Sequence, residues 1–289
     1  MLFIDTRGRD KLSCNPVKHT DSQPQVSAIA IIPARFHSTR LPGKPLLDIC
    51  GRPMIVHVCE RALAAQNVSH VMVATDDERI LDVVRAAGYE AMLTSAEHAS
   101  GSDRLAEAVA ALGESFDLVV NVQGDEPLIS PRTIERAVAA LHEDAHAACA
   151  TTCEAIGNAA DVLSPDVVKV VTDERGYAVY FSRAPIPYPR DAAREFGSLA
   201  AALEVEPALL ATFRKHTGLY VYRRAFLLEY ASWPPSPLER AESLEQLRML
   251  EHGARIRVVE TTDASIGVDT PADLERVRAM LGAGEGNET

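Results

Sequence analysis

The stretch Ala28-Ile29-Ala30-Ile31-Ile32, running on into Pro33-Ala34-Arg35-Phe36-His37-Ser38-Thr39-Arg40-Leu41-Pro42-Gly43-Lys44-Pro45, decides how the rest of the chain is read. An unbroken apolar run suits a central parallel strand covered on both faces, because a strand with one wet face would alternate with polar residues. The loop behind it contains no acid from residue 28 to residue 47, yet it carries Arg35, Arg40 and Lys44. In open α/β sheets ligands bind beyond the carboxyl ends of the strands, where this loop emerges. Guanidinium forks grip phosphate oxygens in pairs and lysine adds a compact charge, so the three cations suit a polyphosphate. The loop fits neither GxxxxGK[ST] nor GxGxxG, which counts against a P-loop NTPase and an NAD-dependent dehydrogenase.

Outward from this stretch, strands and helices alternate. Short apolar runs at 71–74, 91–93 and 118–122 predict strands. Helical patterns lie between and after them: one opened by Pro53 with Ile55, Val58, Cys59 and Ala62 on one face, then 78–87, 104–112 and 131–143. That spacing predicts an α/β fold with a doubly wound, mainly parallel sheet. Later, 167–172 and 177–181 flank Asp173-Glu174-Arg175-Gly176 and predict a β-hairpin. Segment 190–213 reads as a surface helix or loop, 217–222 as a strand, 239–252 as a helix and 256–259 as a strand. A closing helix over 272–281 is capped from Asp269 or Thr270. The expected layout is a mobile extension over 1–26, one domain over 27–281 and a frayed tail over 282–289.

The composition narrows the partners. Hydrophobic residues make up 47% of 289 and charged residues 24%, as in an ordinary soluble protein. Lys plus Arg is 29 against 41 for Asp plus Glu, a formal charge of −12. That balance argues against a broad nucleic-acid or anionic-membrane surface, because both need a basic face, but leaves room for a small anionic ligand in a local basic pocket. The first 47 residues reverse the balance, with 7 cations against 3 acids. The five cysteines form no CxxC pair and read as reduced thiols. No apolar run approaches the ~20 residues of a membrane helix, and the N-terminus lacks a signal-peptide core. The expected place is the cytoplasm.

Two acids stand at strand-to-helix junctions. Asp125 follows Gln123-Gly124, where glycine leaves room for a ligand, and Asp269 comes late in the chain. Two carboxylates with phosphate oxygens suit Mg²⁺, which prefers oxygen ligands and keeps several waters. Asp125 also reads as a turn former and Asp269 as a helix N-cap; one residue can serve both roles.

The loop from Ile31-Ile32-Pro33-Ala34-Arg35 through Arg40-Leu41-Pro42-Gly43-Lys44-Pro45-Leu46 resembles the signature loop of sugar-activating cytidylyltransferases. Its Ser38-Thr39-Arg40-Leu41-Pro42-Gly43-Lys44-Pro45 form is similar to the branch acting on 3-deoxy-D-manno-octulosonate (Kdo), rather than the sialic-acid branch. Further matches, in order, are Val73-Ala74-Thr75-Asp76, Ser100-Gly101-Ser102-Asp103-Arg104-Leu105-Ala106-Glu107, Asn121-Val122-Gln123-Gly124-Asp125-Glu126-Pro127 and Gly267-Val268-Asp269-Thr270-Pro271-Ala272-Asp273-Leu274. The resemblance extends from about Ala28 to Leu281.

That resemblance implies a nucleotide-diphospho-sugar transferase-like fold with a hairpin-containing part over about 155–223 for sugar binding and dimerisation. It implies transfer of CMP from CTP to the anomeric hydroxyl of Kdo, giving CMP-Kdo and pyrophosphate for lipopolysaccharide, by a homodimer. Asp125 and Asp269 become the Mg²⁺ pair, and Arg35 and Lys44 join them as catalytic groups. CTP falls to Arg35, Ser38, Thr39, Arg40, Lys44, Thr75, Asp76, Ser100, Gly101, Arg104 and Gln123. The sugar falls to Gln123, Arg183, Arg190, His216, Tyr220, Glu245 and Gln246, with arginine the natural partner of its carboxylate. Read without the resemblance, Arg104 pairs with Glu107 or Asp103, Asp76 caps the following helix, and Glu126 is a surface or hydrogen-bonding acid. Likewise His216 is then structural, and Glu245 and Gln246 are the polar side of a helix. Two other readings stay open: a cytidylyltransferase for another acidic sugar, and a nucleotide-sugar sensor without catalysis.

Overall fold

Strand β1 (Ala28–Ala34) sends alternate residues to opposite faces: Ala28, Ala30 and Ile32 join one core cluster, Ile29 and Ile31 the other. Two-sided burial is why its sequence needs no polar alternation. The computed structural model describes residues 28–37, 41–98, 100–113, 116–263 and 265–285. The expected extension, Cys14, and the loop residues Ser38, Thr39 and Arg40 lie outside the described residues.

After the basic loop come two short strands, β2 (Asp48–Ile49) and β3 (Arg52–Pro53), then α1 (Met54–Leu63) and β4 (His70–Thr75). Next follow α2 (Glu78–Ala86), β5 (Glu90–Leu93), α3 (Gly101–Ala111), β6 (Leu118–Asn121) and α4 (Pro131–Glu143). β1 pairs in parallel with β4 and β6, and β4 with β5. α1, α2 and α4 cover one face through Ile55, Ile80 and Ile134, while α3 covers the other through Leu105 and Val109. This is the doubly wound arrangement that the alternation predicts. α3 starts at Gly101, ahead of the predicted 104, because Ser100 and Asp103 form a capping box.

In the second half the structure adds β7 (Cys149–Ala155), which the periodicity does not predict. It carries no large apolar side chain, yet Cys149, Cys153 and Ala150 pack to both faces. Then come α5 (Ala159–Leu163) and the predicted hairpin, β8 (Lys169–Thr172) and β9 (Ala178–Ser182). Segment 190–213 takes the helical form of its expected reading. It folds into α6 (Arg190–Glu195), α7 (Leu199–Val205) and a 3₁₀ turn, around a core of Ile156, Val162, Leu203 and Phe213.

The chain ends with β10 (Arg214–Arg223), α8 (Arg224–Ala231), α9 (Pro237–Glu242), α10 (Gln246–Glu251), β11 (Ile256–Glu260) and α11 (Pro271–Glu285). The expected single helix over 239–252 is therefore two. A capping box of Ser236 and Glu239 starts α9 early, and Ser243 at φ 53° ends it in the left-handed region. The last helix runs through 282–285, where the sequence suggests fraying.

The sheet order is β11-β7-β10-β6-β1-β4-β5, with β8 and β9 attached beside β10. Only β10 runs against its neighbours β6 and β7 within that order. Between Thr217 and Tyr220 the β10–β7 register slips, a bulge that turns main-chain groups toward the carboxyl edge of the sheet.

Candidate active site

The basic loop closes on itself through the Gly43 amide, which donates to the Phe36 carbonyl at 3.1 Å. Gly43 takes φ 67°, a conformation that favours glycine, and hands the chain to a 3₁₀ turn that begins at Lys44. Asp125 is delivered from the other side by a tight turn after β6. A side chain at Gly124 would place its Cβ 3.1 Å from the Pro33 carbonyl oxygen, so glycine lets this turn lie against the end of β1. The Val268 amide then donates to the Asp125 carbonyl at 2.9 Å and brings Asp269 alongside.

Lys44 Nζ sits between these two acids, 2.5 Å from Asp125 Oδ2 and 2.9 Å from Asp269 Oδ1. Burial alone would lower the lysine pKa, but the two carboxylates outweigh it and hold the ammonium above the usual lysine range. Asp269 is not the helix cap. Thr270 caps α11 by accepting from the Asp273 amide, and Asp273 accepts the Thr270 amide at 2.8 Å. Glu126 is part-buried, and burial followed by the Asp125 charge raises its carboxyl to about 7.

A cation already bridges Asp125 and Asp269, so the place between them accepts positive charge. The donor set is hard oxygen alone. Among the described residues no cluster of three or more His, Cys, Asp or Glu side chains gathers as for a metal. Two carboxylates are nevertheless what Mg²⁺ takes from a protein when phosphate oxygens and water complete its shell. The residues fit the ion.

Along the same edge, Arg35 leaves the end of β1 exposed. Arg104, fully buried on α3, reaches across to Asp76 Oδ2 at 2.9 Å and also donates to Thr94. Burial, ahead of every other cause, lowers the Arg104 pKa, and the Arg35 charge adds to it. Both local readings of this pair therefore fail: Asp77 caps α2, and Arg104 does not pair within its own helix. Thr75 is buried at the end of β4, its hydroxyl accepting from the Asp77 amide. Ser100 serves the α3 cap.

Beside this edge opens a cavity of about 290 Å³, lined by Gly101, Gln123, His216, Tyr220, Glu245 and Gln246 among others. The structure thus gathers five of the seven expected sugar residues at one place. Gln123 Nε2 donates to the carbonyl of Gly218 in the β10 bulge at 3.0 Å, which fixes the carboxamide. Ser102 donates to Glu245 Oε2 at 2.7 Å. Burial nonetheless holds the Glu245 carboxyl above the usual range. Tyr220 and Tyr222 stack at 5.6 Å, and Tyr222 and Tyr230 at 6.4 Å, making an aromatic wall.

Arg183 and Arg190 are not brought to this cavity. The Arg183 guanidinium donates to the carbonyls of Glu242, Pro165 and Ser243, tying the end of β9 to the α9–α10 break. Arg190 is exposed at the start of α6. Sequence reasoning, for its part, missed Asn121 and Ser102. Asn121 is 5% exposed and lines the cavity, its Oδ1 finds no partner among the described residues, and it is paired with Tyr220 across β6 and β10. The available signal was an asparagine ending an otherwise apolar strand.

The Cytidylyltransferase family model matches residues 29–256. A 3-deoxy-manno-octulosonate cytidylyltransferase of Geobacter sulfurreducens is 54% identical over 252 residues, 87% of this chain and 98% of the relative. Another of that name, from Geobacter metallireducens, is 55% identical over 87% of this chain and 96% of its own. Among solved structures, a CMP:2-keto-3-deoxy-manno-octonic acid synthetase complexed with CTP superposes with a TM-score of 0.79. It is 46% identical and the match covers 89% of this chain and 99% of the other. A 4-diphosphocytidyl-2C-methyl-D-erythritol synthase from Anaerococcus prevotii, 13% identical at a TM-score of 0.56, shares the fold.

Proposed function

The chain belongs to the cytidylyltransferases, in the branch named for 3-deoxy-manno-octulosonate, and from that premise we propose how its site performs their reaction. The protein is a nucleotidyltransferase that transfers CMP from CTP to the anomeric hydroxyl of Kdo, giving CMP-Kdo and pyrophosphate. The sugar oxygen forms a bond to the α-phosphorus, the bond from that phosphorus to the bridging oxygen breaks, and the hydroxyl proton passes to solvent. Positioning and charge neutralisation suffice for such a step.

In our reading the nucleotide lies along the ends of β1, β4 and β6, and the sugar acid fills the tyrosine-walled cavity. Arg35, Arg40 and Lys44 neutralise the triphosphate and the departing pyrophosphate, and Ser38 and Thr39 of the same loop join them in binding CTP. The buried Arg104–Asp76 pair and Thr75 hold the nucleotide wall rigid, while Ser100 and Gly101 open α3 toward the base. Gln123, His216, Tyr220, Glu245 and Gln246 receive the sugar. Asp125 and Asp269 would hold Mg²⁺, which when bound supplies Lewis-acid polarisation and charge neutralisation at the phosphates. A cytoplasmic homodimer making CMP-Kdo for lipopolysaccharide completes the proposal.

The observation that carries this reading is the Lys44 ammonium held between Asp125 and Asp269, two residues from cavity-lining Gln123. The test offers CTP with Kdo and with a sialic acid in parallel and identifies the products by mass. CMP-Kdo as the dominant product is expected; a dominant CMP adduct of the other sugar contradicts the specificity.

A further inference from the structure

Thr151 lies on β7, fully buried, beneath the β10 bulge. Its Oγ1 is 2.7 Å from the Leu219 carbonyl oxygen, 2.9 Å from His216 Nε2 and 3.5 Å from the Thr217 carbonyl oxygen. A hydroxyl has one proton to give, and a carbonyl can only accept. At 2.7 Å the Leu219 carbonyl takes that proton; two bare oxygens would repel at this separation. Thr151 can therefore meet His216 only as an acceptor, and Nε2 must carry hydrogen. Burial holds the imidazole neutral, its pKa pushed down to about 3, so the other nitrogen, Nδ1, keeps a bare lone pair. Among the described residues none donates to Nδ1, and the His216 ring lines the cavity between the rings of Phe181 and Tyr220.

We propose that Thr151 is a positioning residue that locks His216 as the Nε2–H tautomer, so that the cavity meets the sugar acid with an acceptor nitrogen and takes a hydroxyl there, never the carboxylate. This rests on the reading of the cavity as the sugar site. A hydroxyl has a proton to offer Nδ1, whereas a carboxylate would set its own lone pairs against it. The bulge is what makes the lock work. A regular ladder would send the Leu219 carbonyl to a neighbouring strand, leaving the Thr151 proton free to turn toward His216.

Two measurements test it. In the ligand-free wild-type protein at neutral pH, long-range ¹H–¹⁵N spectra of the histidine rings should place Nε2 of His216 in the protonated range and Nδ1 in the unprotonated range. Thr151→Val, which keeps the shape and removes the hydroxyl, should raise the KM for Kdo about tenfold while the KM for CTP stays within about twofold. Thr151→Ser should restore the wild-type KM. A protonated Nδ1 in the wild type overturns the proposal, even if the valine variant fails to fold. So does a folded Thr151→Val enzyme with an unchanged KM for Kdo. A protein showing the Nε2–H tautomer but releasing no pyrophosphate with any sugar acid upholds the lock and contradicts the function above.

Discussion

His216 and Lys44 are both ionisable, both drawn in from water, and their surroundings push their proton affinities in opposite directions. Burial without a counter-charge lowers the His216 pKa from 6.5 to about 3. Below pH 6.5 the unfolded chain takes up a proton that the folded one refuses, so the folded state loses ground as the solution becomes more acid. The loss approaches about 1.4 kcal/mol per pH unit. His216→Gln should flatten the acid side of the stability profile, between about pH 6.5 and 4.5, in denaturant titrations; an unchanged slope would show that the ring charges in place. Lys44 has its folded pKa raised by Asp125 and Asp269. Its stabilising pairs are therefore complete at neutral pH and are lost only as pH rises past the ordinary lysine range. Lys44→Met should leave two acids facing each other, and the stability gap to wild type should stay level from about pH 6 to 9 and close only above that. A gap that opens as pH rises would contradict the pairing. Neither environment is written in the residue type. The sequence marks Lys44 by its acid-free loop and His216 by a family motif, but which neighbours surround them depends on contacts far along the chain.

The β10 bulge and the α9–α10 break place most of what the cavity uses. The bulge aims the Gly218 carbonyl at Gln123, and a Cβ at Gly218 would stand 3.1 Å from Gln123 Cγ. Gly218→Ala should move that carboxamide and raise the KM for Kdo several-fold; an unchanged KM for Kdo would contradict a local role for the bulge. At the break, Arg183 holds three main-chain carbonyls, so Arg183→Ala should cost about 2–3 kcal/mol in denaturant unfolding, and a neutral variant would show that the clip contributes nothing. The first half of the sheet was legible because β1, β4 and β6 are apolar runs buried on both faces. β7 was not, since Cys-Ala-Thr-Thr-Cys-Glu-Ala carries no period that marks a strand and its burial comes from neighbours β10 and β11. The helix break was hidden for a similar reason: Leu244 and Leu247 fit a continuous apolar face, while the left-handed turn at Ser243 is set by the α9 cap and by tertiary contacts.

At the scale of the molecule, an acidic chain of formal charge −12 gathers cations at one edge of its sheet to meet an anionic nucleotide and an anionic sugar. Longer-range fields would repel both, so the attraction has to be local. The exposed apolar side chains Val179 on β9 and Tyr188 just beyond it, each 59% exposed, lie where the resemblance puts a dimer contact. Sedimentation should give twice the 31.3 kDa of the chain, and Val179→Glu should shift it toward the monomer; a monomeric wild type would contradict the dimer. Five of the residues expected at the sugar and the Asp125–Asp269 pair were legible through motifs, and the structure brings both sets to one edge. Of the two arginines expected at the sugar, Arg183 goes instead to main-chain carbonyls that the sequence does not mark, and Arg190 stands exposed at the start of α6. The proposed site turns on the carboxylate that Lys44 holds beside the cavity. Pyrophosphate release from CTP and Kdo by Asp125→Ala at saturating Mg²⁺ tests it most directly. Turnover should fall to about a hundredth of wild type or less, and a variant keeping more than about a tenth would contradict the site.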